Sequence, residues 1–211
     1  MPGLAASPKI FEYLEFSQEK YELHYLDWKM PLSKEESIAN YAQRMSALVK
    51  TENPVLIGVS FGGIIVQEMS KFLTLKKIII ISSLKTSNEM PKRYKLAKAA
   101  KLYKLFPTKM ISNFEEYTKF FFGENLQRKA EMYKKYLSVR DKTYLAWSMQ
   151  TVLNWEQEIP LKNLIHIHGT KDHIFPIKSI SNSIEIKDGT HSMVLIKAKE
   201  ISQIIDSILT F

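Results

Sequence analysis

The 211-residue sequence contains no cysteine. That absence excludes a disulfide framework, a thiolate zinc site, an iron–sulfur cluster and a cysteine nucleophile. Seven glycines and eight prolines are too few for a low-complexity chain or a flexible linker. No apolar run approaches the roughly 18 to 20 residues of a membrane span. The first 25 residues carry Glu12, Glu15, Glu19 and Glu22, which is not the pattern of a signal peptide. What is present is ordinary for a globular domain: 45% hydrophobic and 25% charged residues, with a net charge of +8. These features predict a single-domain protein of a reducing, cytoplasmic compartment. The charge alone is compatible with a nucleic acid, an anionic membrane surface or an anionic substrate. It is unevenly placed, since Lys85 to Lys142 holds 15 basic and 6 acidic residues and the rest of the chain is close to neutral.

Two kinds of segment alternate along the chain. Short β-branched runs predict strands at Tyr21–Trp28, Val55–Val59, Lys77–Ser82, Leu164–His168 and Ser183–Lys187. Helical patterns lie between them. Ser33 to Glu36 reads as a capping box ahead of an apolar face of Ile38, Tyr41, Ala42, Met45, Leu48 and Val49. Ser7-Pro8 reads as a cap with proline in the first helical position. A helix over Ile64–Phe72 continues from a strand through a glycine turn. Ala198, Ile201, Ile204, Ile205 and Ile208 form a last core-facing stripe. Strand and helix in alternation predict an α/β protein, a mostly parallel sheet flanked by helices.

The alternation stops between Ser83 and Pro160, where helical patterns run over Lys92–Lys104, Phe114–Phe122, Leu126–Ser138 and Asp141–Trp155. The reading is a core formed by residues 1–83 and 161–211 with a helical lid over residues 84–160. Phe120 to Phe122, Trp147 and Trp155 are the aromatic candidates for an apolar pocket.

Gly58-Val59-Ser60-Phe61-Gly62 is a G-x-S-x-G whose setting matters more than its pattern. It follows an apolar strand and opens into a helix, the setting of a nucleophile elbow. The serine there takes a strained backbone conformation that projects its hydroxyl from the sheet, and the crowded flanks require glycine. The amide of Phe61 then faces a developing oxyanion at a helix N-terminus. A serine hydroxyl needs a base, and the base needs an orienting group. Of five histidines, His191 lies in a loop between the last strand and the last helix. Asp172 lies just past the preceding strand. Both therefore fall at the carboxyl ends of strands, where the elbow lies and where such sheets bind ligands.

With the chain order Ser60, Asp172, His191, the sequence resembles the α/β-hydrolase superfamily from Pro2 onward. The resemblance implies Ser60 as nucleophile, His191 as general base and acid, and Asp172 as the group that fixes the imidazole tautomer. Pro2-Gly3-Leu4-Ala5-Ala6-Ser7 resembles the family's oxyanion loop, with Leu4 supplying its amide beside that of Phe61, although proline stands where the family usually has histidine. The family carries a strand into that loop, whereas this chain opens at the loop; the expectation is that N-terminal strands are missing and that the natural start lies upstream of Met1. The implied activity is hydrolysis of a carboxylic ester or thioester of a small or apolar substrate, with no cofactor and no metal.

Competing readings attach to particular residues. Asp188 is the nearest rival to Asp172. His166, His168 and His173 are close enough in sequence for a metal site, though strand histidines are more often packed core. His24 has no assigned role. Lys92, Arg93, Lys95, Lys98, Lys101 and Lys104 read as a solvated helix face, so no nucleic-acid partner is expected. Two other function classes are a non-catalytic or receptor-like member binding a small hydrophobic ligand, and a basic protein bound to nucleic acid or membrane.

Overall fold

Ile78, Ile79, Ile80 and Ile81 are all buried. Successive strand side chains point to opposite faces, so this strand is covered on both sides, as in a parallel sheet between helices. The computed structural model describes residues 1–99 and 135–210. Its sheet is wholly parallel, in the order β1 (Val55–Val59), β2 (Lys77–Ile81), β3 (Leu164–Gly169), β4 (Ile184–Ile186). Val55 pairs with Lys77, Ile78 with Leu164, and Ile167 with Ile184. All four strands coincide within a residue or so with those expected.

The expected strand at Tyr21–Trp28 does not form. This stretch is irregular and mostly exposed, and Met1 instead pairs with the β1 edge that faces away from β2. The Met1 amino group donates to the Ile57 carbonyl at 2.7 Å, and the Val59 amide donates to the Met1 carbonyl at 3.1 Å. Burial pushes the Met1 amine down to a pKa of about 5. Segment 21–28 is tied elsewhere by its side chains. Tyr21 donates to Asp206 at 3.0 Å, and the Trp28 indole donates to the Gly3 carbonyl at 3.0 Å.

Among the described residues the α-helices are α1 (Ile38–Ser46), α2 (Phe61–Met69), α3 (Lys92–Ala99), α4 (Lys142–Asn154), α5 (Met193–Ile196) and α6 (Ala198–Thr210). Tyr41, Ala42 and Met45 of α1 are buried as expected, but the helix is capped by Ser37 rather than by the Ser33 box. The Ser37 hydroxyl accepts from the Asn40 amide at 3.2 Å, whereas Glu36 is captured by Arg44 at 2.8 and 2.9 Å and by the Leu32 amide at 2.7 Å. Ser7-Pro8 starts only a single 3-10 turn, Pro8–Phe11, and the serine side chain makes no cap bond. The apolar helix α2 packs on β1 and α1. In α6, Ala198, Ile201 and Ile205 are buried, and Lys77 of β2 donates to the Ile208 carbonyl at 2.8 Å.

In the expected lid, α3 and α4 are helical, and no strand occurs among the described residues of 84–160. The candidate helices Phe114–Phe122 and most of Leu126–Ser138, with Phe120 to Phe122, lie outside the described residues. Trp147 and Trp155 are buried packing residues. Trp147 donates to the Glu36 carbonyl at 2.8 Å and lies 4.3 Å, centroid to centroid, from Tyr41. Trp155 donates to Glu68 at 2.8 Å. Among the described residues no helix is long and apolar enough to cross a membrane.

Candidate active site

Ser60 follows β1 directly and precedes the first residue of α2. Its backbone sits at φ 52°, ψ −120°, a conformation that costs a non-glycine residue of order 1–3 kcal/mol. The turn is tight enough that backbone atoms fill the space a side chain would need on either flank. A Cβ on Gly58 would lie 2.4 Å from the Gly62 carbonyl oxygen, and one on Gly62 would lie 2.3 Å from the Pro2 carbonyl oxygen. The second contact was not foreseeable from the motif, because it depends on the N-terminal segment lying across the elbow. The turn is pinned from β2: the Ser60 amide donates to the Ile81 carbonyl at 2.9 Å, and the Ser83 hydroxyl donates to the Ser60 carbonyl at 2.7 Å.

The structure brings Ser60, His191 and Asp172 together. His191 Nε2 lies 2.9 Å from Ser60 Oγ, and His191 Nδ1 lies 2.8 Å from Asp172 Oδ2. With the carboxylate accepting at Nδ1, that nitrogen carries the proton and Nε2 is the acceptor for the serine hydroxyl. The other Asp172 oxygen, Oδ1, accepts from the Ile174 and Phe175 amides at 2.8 and 2.9 Å. Burial disfavours the Asp172 charge, but His191, the Phe175 amide and His168 outweigh it, and its pKa lies below the ordinary carboxylate value. The two loops that carry the acid and the base touch at their glycines, since a Cβ on Gly169 would lie 2.2 Å from the Gly189 carbonyl oxygen. The rival Asp188 is exposed and pairs with Lys171 at 2.8 Å.

The Gly3–Ala5 loop lies beside the elbow, with the Cβ position on Gly3 only 3.5 Å from Ser60 Cβ. The amides of Leu4 and Phe61 donate to no acceptor among the described residues. Three other backbone groups of the loop are bonded. The Gly3 carbonyl accepts from Trp28, the Ala5 amide donates to the Tyr144 hydroxyl at 3.3 Å, and the Ala5 carbonyl accepts from the Val139 amide at 3.0 Å. Ala5 itself has φ 62°. Trp28 stacks on Phe61 at 5.1 Å and 12°, and packs 5.4 Å from Tyr144, so one aromatic cluster backs both segments. Trp28 and Tyr144 were missed at the sequence level, where Trp28 reads as the end of a strand and Tyr144 as one residue of a helix.

The remaining candidates take other places. His24 is exposed and pairs with Glu22 at 2.9 Å. His166 and His168 are buried and bond to each other at 3.0 Å, and no group of three or more metal-ligating side chains occurs among the described residues. Arg93 is not simply solvated, since it donates to the His173 and Ile174 carbonyls at 2.6 and 3.0 Å on the loop that follows Asp172.

No family model matches the chain, and no curated protein matches it. Solved structures do. A thermophilic esterase from Thermogutta terrifontis superposes with a TM-score of 0.71 at 14% identity, covering 99% of this chain and 87% of that one. A lipase-esterase related protein from Clostridium acetobutylicum gives 0.64 at 17% identity, covering 98% and 91%. An extracellular alpha/beta-hydrolase from a Paenibacillus species gives 0.61 at 13% identity, covering 97% and 95%. At these identities the likeness is one of architecture, and it agrees with the parallel sheet, the elbow after β1 and the order of the loops. The chain has the α/β-hydrolase fold.

Proposed function

We propose that the protein is a serine hydrolase that cleaves a carboxylic ester, or a thioester, of a small or apolar substrate through an acyl-enzyme. The observation that carries this reading is the unbroken hydrogen-bonded line from Ser60 Oγ through the His191 imidazole to Asp172, with the serine at a strained strand-to-helix turn. Esterase and lipase-esterase related proteins among the structural neighbours support it.

In this mechanism Ser60 Oγ attacks the substrate carbonyl carbon while its proton passes to His191 Nε2. The carbonyl oxygen becomes an oxyanion, and the amides of Leu4 and Phe61 are the proposed donors to it. Asp172 stabilises the imidazolium without taking its proton. The tetrahedral species collapses, the bond to the leaving oxygen or sulfur breaks, and that atom takes the proton from His191. Water then attacks the acyl-serine with His191 again accepting a proton, and collapse releases the acid and restores the Ser60 hydroxyl. Residues 84–160 are the proposed lid, and Arg93 ties its first helix to the loop beyond Asp172.

The test is hydrolysis of p-nitrophenyl esters of increasing acyl length by the wild type and by Ser60→Ala. The expected result is turnover that depends on chain length and falls by about 10⁴-fold or more in the variant. Tight binding of apolar esters without turnover would favour a non-catalytic binding protein instead.

A further inference from the structure

Two buried histidines that the proposed chemistry does not use stand directly behind the acid loop. His166 and His168 are successive same-face residues of β3, and both are at most 2% exposed. His168 Nε2 lies 2.8 Å from the Phe175 carbonyl oxygen. A carbonyl only accepts, so Nε2 carries the proton and donates. His168 Nδ1 is then an acceptor, and His166 Nε2, 3.0 Å away, donates to it. Desolvation holds both imidazoles below the ordinary histidine pKa, which keeps this donor order with neutral rings. The titratable groups around the pair are Asp172 and His191 in the site, with Lys85 and Glu89 on the segment after β2.

The anchored residue is central to the site. The Phe175 amide is one of the two donors to Asp172 Oδ1. The Phe175 ring packs edge-on to the His191 imidazole at 5.5 Å and 73°. One residue thus meets the acid through its amide and the base through its ring, and its carbonyl is held by His168 of β3, a strand hydrogen-bonded on both sides.

We propose that His168 is a positioning residue, with His166 as its tautomer lock: the pair clamps Phe175 and through it sets Asp172 and His191 against Ser60. This rests on the hydrolase reading and deepens it. The aspartate is positioned by a buried imidazole donor rather than by its own loop alone. A misplacement of about 1 Å at such a distance from the chemistry is enough to cost about 100-fold in rate.

The test compares ester hydrolysis and the rate of Ser60 labelling by a fluorophosphonate in the wild type, His168→Phe and His168→Gln, with thermal unfolding of each. Gln places an amide N–H near the Nε2 position, whereas Phe keeps the bulk and removes the donor. His168→Phe is expected to lose about 10- to 100-fold in kcat and in labelling rate, with KM within about twofold of wild type. His168→Gln is expected to recover most of both. Wild-type kcat in folded His168→Phe, or equal losses in Phe and Gln, overturns the proposal. If His168→Phe does not fold, His166→Leu replaces it. That variant leaves the donor in place but unlocks its tautomer, and a several-fold loss in kcat at constant KM is expected; an unchanged kcat overturns the proposal. Failure of the wild type itself to label at Ser60 contradicts the hydrolase reading, whereas the ratio of variant to wild type tests the clamp.

Discussion

The indole of Trp28 donates to the carbonyl of Gly3 at 3.0 Å, buried from solvent, although the two residues are 25 positions apart. This bond joins an irregular surface segment to the loop beside Ser60. Trp28→Phe keeps an aromatic ring against Phe61 and removes the donor together with part of the indole's bulk. The expected cost is about 1 kcal/mol of stability, read by urea unfolding. A loop free to drift also weakens the Leu4 amide in its proposed role as an oxyanion donor. Loss of one donor outright costs about 100- to 1000-fold, so a loosened one is expected to lower kcat by roughly tenfold. An unchanged kcat would separate the loop from catalysis.

Gly62 faces the backbone of Pro2 and Met1 at distances no Cβ tolerates. Gly62→Ala must therefore displace either the elbow or the N-terminal segment. The expected loss is about 3 kcal/mol, with activity lost in parallel, because neither backbone has a flexible side chain to yield. Thermal unfolding and ester turnover of the same preparation check it.

The acid limb of stability follows from Asp172. Its folded pKa lies below the ordinary value, so the unfolded chain takes up the proton first as pH falls. The stabilisation is complete above the unfolded carboxylate value of about 3.9 and is lost as pH drops through the folded one. Asp172→Asn lacks this component. Urea midpoints measured from pH 7 to pH 3 are expected to fall less steeply in the variant than in the wild type.

Lys85 and Glu89 form a buried pair at 3.6 Å. The Glu89 carboxylate also accepts from the amide of Lys85 at 2.7 Å and from the amide and hydroxyl of Ser181 at 3.1 and 3.0 Å. Lys85 donates to the Ser181 and Asn182 carbonyls. Removing one partner of a buried pair strands the other charge, so Glu89→Ala is expected to lose about 3–5 kcal/mol. Chemical denaturation measures it directly.

The parts of this molecule that were legible in the sequence are those written in local patterns. The four strands show as short β-branched runs, and β2 shows by its four consecutive isoleucines. The serine turn shows because tight geometry demands glycine on both flanks. Asp172 and His191 show because each follows a strand, and strand ends converge in a parallel sheet. What stayed hidden depends on contacts between distant segments. Tyr21–Trp28 has the composition of a strand, but it pairs with no sheet edge and is held instead by side-chain bonds, Tyr21 to Asp206 and Trp28 to the Gly3 carbonyl. Trp28, Tyr144 and His168 bond backbone groups beside the candidate site, and Phe175 meets Asp172 through its own amide, contacts that leave no side-chain signature. Ser33 carries the spacing of a capping box, yet Arg44, from the last turn of α1, takes the glutamate away.

The central claim is that Ser60 is the nucleophile. The most direct measurement is exposure of the native protein to a fluorophosphonate, followed by intact-mass analysis and peptide mapping. The account predicts one adduct per chain, on Ser60, absent from Ser60→Ala and strongly slowed in a folded His191→Ala variant. A folded protein that forms no adduct, or forms it on another residue with Ser60→Ala still labelled, would contradict it.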